Sequence, residues 1–175
     1  MTTPRLFCFG IGYSAQVLIQ QLQAEGWRIA GTTRSAEKAE KLRDQGIEAH
    51  VFDRGQPLAD PVAALAGTTH LLSSVPPDAE GDAVVDQHGD TLRRMAHDIQ
   101  WAGYLSTTGV YGDRDGGWVD ETSALEPTSE RSRRRVAAET AWRALADSSG
   151  LPLHIFRLAG IYGPGRSPLD SVREG

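Results

Sequence analysis

The sequence predicts a doubly wound α/β domain, in which a parallel β-sheet carries helices on both faces. Short apolar runs alternate along the chain with stretches of helical periodicity. These runs lack the period-two alternation of half-exposed strands, as expected for strands that are buried on both faces. Repeated strand–helix units build parallel sheets through right-handed crossovers, and we expect the strand order 3-2-1-4-5-6.

Six apolar runs are the predicted strands, and helices are predicted in the intervals between them. The strands lie at residues 6–9, 28–31, 47–52, 69–75, 104–107 and 153–158. The first helix has its apolar residues on one face and is closed by Gly26. Ser35 is the predicted N-cap of the second helix, which Gly46 ends. Further helices are predicted around residues 57–66, 81–99 and 128–149.

Length, composition and charge limit the classes of protein to which the chain can belong. Its 175 residues fit one domain, and 18 basic against 23 acidic side chains give a net charge of −5, which does not attract nucleic acid over the whole surface. The single cysteine, Cys8, excludes a disulfide framework. There is no signal-peptide pattern and no apolar run approaching about 18 residues. We therefore expect a cytoplasmic protein that binds neither nucleic acid nor membranes.

A glycine-rich turn follows the first predicted strand and opens the first helix, with the pattern Gly-x-Gly-x-x-Ala. Gly10 permits the tight turn, Gly12 lets the backbone approach a pyrophosphate, and Ala15 keeps the helix close to the sheet. The helix N-terminus supplies N–H donors and a partial positive charge. With Tyr13 and Ser14, these residues are predicted to bind a nicotinamide dinucleotide, the alternative being an ordinary structural turn.

The end of the second strand distinguishes the two nicotinamide cofactors. An NAD site usually has Asp or Glu here to accept a hydrogen bond from the ribose 2′-hydroxyl. This sequence has Thr33, Arg34 and Ser35 instead. A guanidinium suits a 2′-phosphate, and the neighbouring hydroxyls can assist. The sequence favours NADP over NAD, although Arg34 could also be a solvated residue at a helix start.

Three further stretches carry a family resemblance. They are Tyr-Leu-Ser-Thr-Thr-Gly-Val-Tyr-Gly at residues 104–112, then Glu121 and Pro127, then Phe-Arg-Leu-Ala-Gly-Ile-Tyr-Gly-Pro-Gly at residues 156–165. In this order and spacing, and together with the glycine turn, they resemble the extended short-chain dehydrogenase/reductase group, the NAD-dependent epimerase/dehydratase family. The resemblance implies a Rossmann-type NAD(P)-binding domain over residues 1–175, the N-terminal part of a longer family member whose C-terminal substrate domain is largely absent.

The resemblance also implies further contacts with the cofactor. Asp53, after the third strand, would lie beside the adenine. Ser73, Ser74 and Val75, at the end of the fourth strand, would pass under the nicotinamide ribose. The segment at residues 161–165 would approach the nicotinamide side.

The catalytic positions depart from the family pattern and make the chain an atypical member. Thr107 lies where the family has its catalytic Ser or Thr, but the Tyr-x-x-x-Lys pair is replaced by Arg131 and Arg135. A guanidinium stays protonated to above about pH 12, so Arg131 cannot exchange a proton usefully. Arg135, one helical turn away, can still donate to ribose hydroxyls. No lysine follows Lys41, so the standard proton relay is absent.

Other groups could replace parts of that relay. Tyr111 is a nearby phenol and a candidate proton donor, whereas Thr107 can donate a hydrogen bond to a carbonyl. Arg131 could bind an anionic substrate or stabilise a developing oxyanion without giving up its proton. We expect Glu139 to be a solvated charge on the helix face.

The sequence thus predicts an NADP(H)-dependent oxidoreductase or epimerase/dehydratase-like enzyme that transfers a hydride on a small substrate, anionic or similar to a nucleotide sugar. Loss of the Tyr and Lys favours an alternative, a catalytically inactive dinucleotide-binding sensor or regulatory module. The five histidines show no metal-ligand spacing, so no metal is expected. A homodimer through the helices at residues 81–99 and 128–149 is an open alternative to a monomer.

Overall fold

The computed structural model describes residues 3–167 and Val172, and it contains a six-stranded sheet in which all pairs of neighbouring strands are parallel. The strands are β1 (Arg5–Phe9), β2 (Arg28–Thr33), β3 (Glu48–Val51), β4 (His70–Ser73), β5 (Trp101–Thr107) and β6 (Leu153–Leu158). Their spatial order is β3-β2-β1-β4-β5-β6. The predicted fold class and strand order are therefore confirmed.

The helices of the described residues also follow the prediction, with shifted ends. They are α1 (Tyr13–Ala24), α2 (Ala36–Asp44), α3 (Pro61–Leu65), α4 (Ala83–Met95) and α5 (Glu130–Ser149), with 3₁₀ turns at Ala96–Asp98 and Thr108–Tyr111. The Ser35 side chain accepts a hydrogen bond from the Lys38 N–H, so the predicted cap of α2 is confirmed. None of the described helices is long and apolar enough to cross a bilayer.

Strand β5 begins three residues before the predicted start at Tyr104. Trp101 pairs with His70 in the parallel register, so the ladder already includes the segment that contains Gly103. Glycine inside a strand weakens the sequence signal because it has no side chain to pack. Here the Trp101 ring fills that space, and a Cβ on Gly103 would lie 2.3 Å from the ring.

Two apolar cores lie on opposite faces of the sheet. Successive residues of β1 alternate between them, because side chains of a strand point to opposite faces. Leu6 and Cys8 pack with α1 and α2, whereas Phe7 and Phe9 pack with α3, α4 and α5. All five residues of β1 are buried, which explains why the sequence shows no alternation there. Burial raises the pKa of the Cys8 thiol to about 12.

The turn between β1 and α1 packs tightly against β2. A Cβ on Gly31 would lie 2.4 Å from the carbonyl oxygen of Cys8 and about 3 Å from the Ile11 side chain. The Ile11 N–H donates to the carbonyl of Thr32 at 2.7 Å, which fixes the turn beside the end of β2. Only glycine at position 31 allows this approach of the two strands.

Replacing Gly31 with Ala is therefore expected to lower the free energy of unfolding by about 1–3 kcal/mol, the usual cost of forcing atoms into a packed core. Urea denaturation followed by circular dichroism measures this change. Gly160→Ala is the matched control, because a Cβ there meets no atom within 4 Å and its φ is not positive. Equal stability of the two variants would contradict the packing that we describe.

Candidate functional site

Two neighbouring clefts lie at the carboxyl ends of the strands, where parallel α/β sheets bind their ligands. The first cleft has a volume of about 870 Å³ and is lined by the ends of β1 to β4 with the start of α2. The second cleft, of about 220 Å³, lies between the start of α1, the ends of β5 and β6 and the start of α5. Gly12 and Ser74 line both clefts, so the two are continuous.

The glycine turn forms the floor between the clefts. Gly10 has φ +82°, and a Cβ there would lie 3.1 Å from Ser74 Oγ and 3.3 Å from the Val75 nitrogen. The Ser74 hydroxyl donates a short hydrogen bond to the carbonyl of Gly10. By contrast, a Cβ on Gly12 would meet no atom within 4 Å. The turn is thus packed on its sheet side at Gly10 and open on its cleft side at Gly12.

Helix α1 differs from the other described α-helices at its N-terminus. It has no side-chain cap and no acidic residue in its first turn. The other four are capped by Ser35, Asp60, Asp82 and Ser129. The first N–H groups of a helix have no partner within it, so those of α1 are available to a ligand in the clefts. Ala15, buried directly below, allows α1 to pack close to the sheet.

Two cations stand at the end of β2 in the first cleft. Arg34 is exposed, and within residues 3–167 its guanidinium has no hydrogen bond or ion pair. Thr33 and Ser35 line the cleft beside it. Lys38 donates from Nζ to the carbonyl of Ile11 at 2.7 Å. The sequence analysis did not name Lys38 as a site residue. Its position, four residues after Arg34 and in the first turn of a capped helix, could have indicated a second cation near Arg34.

The opposite side of the first cleft is formed by the ends of β3 and β4. Asp53 lines it, and so does Val75, which the resemblance predicted under the nicotinamide ribose. Arg54, which follows β3, connects it to the segment after β4 and to α4, since its guanidinium donates to Asp78 and, at 2.8 Å, to Asp86. The hydrogen bond from Arg54 lowers the pKa of Asp78.

Ser73 does not line either cleft, and the prediction that it lies under the nicotinamide ribose is corrected. It is fully buried, and its Oγ has no hydrogen-bond partner within the described residues. Side chains alternate along a strand, so when Ser74 points into the clefts its neighbour points into the core.

The second cleft brings together three of the four predicted catalytic residues, Thr107, Arg131 and Arg135. Thr107 Oγ1 accepts a hydrogen bond from the Gly109 N–H at 3.2 Å, which leaves its own proton for a ligand. Arg131 is exposed and has no hydrogen bond or ion pair among the residues that the structure describes. The cleft therefore contains hydrogen-bond donors that have no acceptor within the described part of the chain.

Arg135 is anchored to the end of β5. Its Nη1 donates to the carbonyl of Leu105 at 2.7 Å and to the hydroxyl of Tyr104 at 3.1 Å. Burial raises the pKa of Tyr104, so this phenol stays neutral and acts as an anchor. The two remaining guanidinium nitrogens of Arg135 have no hydrogen-bond partner in residues 3–167 and stay available in the cleft.

The structure does not bring Tyr111 to the second cleft. Its hydroxyl accepts a hydrogen bond from Arg157 Nη1 at 2.8 Å, and the Arg157 guanidinium lies 4.9 Å from its ring centre. Tyr111 lines a third cleft instead, with Glu121 and Phe156. The 3₁₀ turn after β5 carries its side chain away from Thr107, so its assignment as the proton donor is withdrawn.

Glu139 is buried, and the expectation of a solvated helix-face charge is wrong. Its carboxylate accepts hydrogen bonds from Ser106 Oγ at 2.6 Å and from Arg157 Nη2 at 2.8 Å. The hydrogen bond to this carboxylate raises the pKa of Arg157. A signal existed in the sequence, because a charged residue inside the apolar run of β6 requires a buried partner.

The segment after β6 is held against the start of α1. Tyr13 donates from its hydroxyl to the carbonyl of Pro164 at 3.1 Å, and the Arg166 guanidinium lies 5.1 Å from the Tyr13 ring centre. A Cβ on Gly163 would be 2.3 Å from the Tyr13 hydroxyl oxygen, so only glycine fits there. Ile161 and Arg166 line the second cleft, the latter without any signal in the sequence.

The described residues contain no group of three or more His, Cys, Asp or Glu side chains that could hold a metal ion.

The fold and the glycine turn define a dinucleotide-binding type of α/β domain. The chain belongs to the NAD dependent epimerase/dehydratase family, whose sequence model matches residues 10–174. It is similar to Protein YeeZ of Escherichia coli strain K12, with 31% identity over 166 residues that cover 91% of this chain and 59% of the relative. The chain thus spans less than two thirds of the length of this curated relative.

Solved structures with the same fold are also found. A conserved protein of unknown function from Silicibacter pomeroyi has a TM-score of 0.85 and 48% identity, over 99% of this chain and 58% of that one. The UDP-glucuronic acid 4-epimerase of Bacillus cereus in complex with NAD has a TM-score of 0.73 over 94% of this chain and 59% of that one. Its identity is 18%, so it supports the fold alone.

Replacing Glu139 with Gln is expected to lower the free energy of unfolding by about 3 kcal/mol, because Arg157 would stay buried without its counter-charge. Urea denaturation measures the change. Glu130→Gln is the control on the same helix, since its carboxylate pairs with Arg133 and Arg134 at the surface, where ion pairs contribute little. Similar effects of the two substitutions would show that Glu139 is not a structural anchor.

Proposed function

We propose that the first cleft binds an NAD(P) cofactor and that NADP(H) is preferred over NAD(H). The observation that carries this proposal is the pair of cations at the end of β2, Arg34 without a partner and Lys38 beside it, where an NAD site would have a carboxylate. A 2′-phosphate would supply the acceptor that the Arg34 guanidinium lacks within the described residues.

The residues present also fit the rest of such a cofactor. The uncapped start of α1 and the open side of Gly12 would receive the pyrophosphate, with Tyr13 and Ser14 beside it. Asp53 would lie beside the adenine, Ser74 and Val75 would pass under the nicotinamide ribose, and the second cleft would receive the nicotinamide. We further propose that residues 1–175 form one dinucleotide-binding domain.

The proposed reaction is hydride transfer on a small substrate in the second cleft. A bound nicotinamide supplies or accepts the hydride. Thr107 would donate its hydroxyl hydrogen bond to the substrate oxygen, and Arg131 would stabilise negative charge that develops there. Because a guanidinium does not release its proton near neutral pH, and Tyr111 lies in another cleft, water would exchange the proton with the substrate oxygen.

The second candidate function is a catalytically inactive dinucleotide-binding sensor or regulatory module. The specific observation in its favour is that Arg135, at the family's lysine position, is anchored to the Leu105 carbonyl and the Tyr104 hydroxyl. In this alternative the arginines of α5 stabilise the strand end and the cofactor, and no substrate is converted. A cytoplasmic location and a homodimer through α4 and α5 stay predictions under both functions.

The cofactor proposal predicts that Arg34→Ala weakens NADPH binding by at least about tenfold (~1.4 kcal/mol) and leaves NADH binding unchanged. The reason is that only NADPH carries the phosphate that the guanidinium would contact. Calorimetric titration with each cofactor measures both affinities. Arg28→Ala is the matched control, because Arg28 is an exposed arginine at the opposite end of the same strand.

Equal losses for NADPH and NADH in Arg34→Ala would overturn the preference for NADP. Failure of the unmodified chain to bind either cofactor would overturn the proposed function as a whole.

The catalytic proposal predicts that the double substitution Arg131→Tyr with Arg135→Lys lowers turnover, although it restores the family pair. The substrate would lose the guanidinium at position 131 that stabilises its charge. Turnover is measured as NADPH oxidation with a panel of 2-keto acids and nucleotide sugars. A double variant that is as active as the unmodified chain, or more active, contradicts a catalytic use of the arginines.

A further inference from the structure

The charged side chains that line the second cleft are all positive. Three arginines line it, Arg131, Arg135 and Arg166, and no Asp or Glu is among its lining residues. The chain as a whole has a net charge of −5, so this concentration of positive charge is not a consequence of composition. Unpaired cations in a concave site strengthen the local potential and attract anions.

Most of the other arginines that the structure describes are paired with carboxylates. Eight of the described arginines form ion pairs with carboxylates, and none of the eight lines the second cleft. Arg133 and Arg134 show the contrast most directly, because they stand on the same turn of α5 as Arg131 and both pair with Glu130. An acidic side chain, Glu130, is thus present at the start of α5, but it pairs with Arg133 and Arg134 and not with Arg131.

The free donors of the second cleft suit an oxyanion. Arg131 uses none of its guanidinium N–H groups within residues 3–167. The Arg166 guanidinium lies 5.1 Å from the Tyr13 ring centre, and its N–H groups have no hydrogen-bond or ion-pair partner among the described residues. A planar guanidinium binds a carboxylate or a phosphate through two parallel hydrogen bonds. Thr107 adds a neutral donor beside them.

The phosphates of the proposed cofactor have other partners. Its pyrophosphate would lie on the start of α1, and its 2′-phosphate would lie at Arg34 in the first cleft. Helices α1 and α5 pack on opposite faces of the sheet, so Arg131 approaches the cleft from the side opposite to the pyrophosphate site. Arg131 is therefore left for a different ligand, and Arg166 lines the same cleft.

We propose that the second cleft binds an oxyanion group of the substrate, a carboxylate or a phosphate, with Arg131 as its principal ligand and Arg166 as the second. This inference rests on the proposed function, because the cofactor would occupy the first cleft and bring its nicotinamide to the substrate in the second. In this chain the position that holds a proton donor in the family becomes a recognition site for negative charge. The substrate class is that of small anionic carbonyl or hydroxyl compounds.

Titration of malonate and of inorganic phosphate into the NADPH-saturated chain tests the proposal. Arg131→Gln is expected to weaken binding of the preferred probe by about tenfold, and Arg166→Gln by a smaller factor. Arg133→Gln, exposed on the same helix, is the matched control and should leave the affinity unchanged. Preference for malonate assigns a carboxylate, and preference for phosphate assigns a phosphorylated substrate. Thermal unfolding of each variant verifies the fold.

Three results would overturn the proposal: neither probe binds the unmodified chain, Arg131→Gln binds the probes as well as Arg133→Gln, or Arg131→Gln weakens NADPH instead of the probes. The last result would assign Arg131 to the cofactor. The same titrations without NADPH separate the two proposals. Binding of a probe that depends on Arg131, in a chain that does not bind NADPH, supports the anion site and contradicts the cofactor.

Discussion

The buried carboxylate of Glu139 is the contact on which the second cleft depends. It accepts hydrogen bonds from Ser106 at the end of β5 and from Arg157 in β6, so one side chain of α5 holds both strands. Thr107 is the next residue after Ser106, and Arg135 lies one helical turn before Glu139. A buried ion pair is tolerated when further hydrogen bonds satisfy the remaining donors and acceptors of both groups. Here the Ser106 hydroxyl donates to the carboxylate, and the Tyr111 hydroxyl accepts from the guanidinium. The positions of the hydroxyl and guanidinium groups in the cleft follow from this contact.

The first cleft depends on backbone packing instead of charge. Gly31 lets β2 approach β1, and Gly10 lets the turn rest on the end of β4, which leaves Gly12 and the start of α1 open. An uncapped helix start has unsatisfied N–H groups, whose desolvation is unfavourable unless water or a ligand accepts their hydrogen bonds. Lys38 holds the turn through the carbonyl of Ile11 and adds its charge to the same side. The shape of the cleft and the partial positive charge at the start of α1 therefore favour binding of an anion even without side-chain contacts.

Much of this arrangement could be predicted from local sequence. The alternation of strands and helices, the glycine turn and the cap at Ser35 each follow from residues that are close along the chain. The errors concern the direction in which a side chain points and the partners that it meets. Glu139 was misjudged because its partner lies 18 residues away in β6, and Tyr111 because the 3₁₀ turn after β5 redirects its side chain. Arg166 reaches the cleft only through the contact of its segment with Tyr13, which no periodicity indicates.

Arg131 and Arg135 line the second cleft at the positions where the resemblance predicts the family's Tyr and Lys, and their chemistry limits what the cleft can do. A phenol beside an ammonium group can exchange a proton, whereas Arg131 and Arg135 keep theirs at any physiological pH. Their contribution is therefore limited to binding and electrostatic stabilisation, and both are strongest for a ligand that brings negative charge into the cleft. No carboxylate lines the cleft to compete for these donors. Two guanidinium groups that keep their protons, in a cleft that no acidic side chain lines, thus favour recognition of an anion over proton transfer.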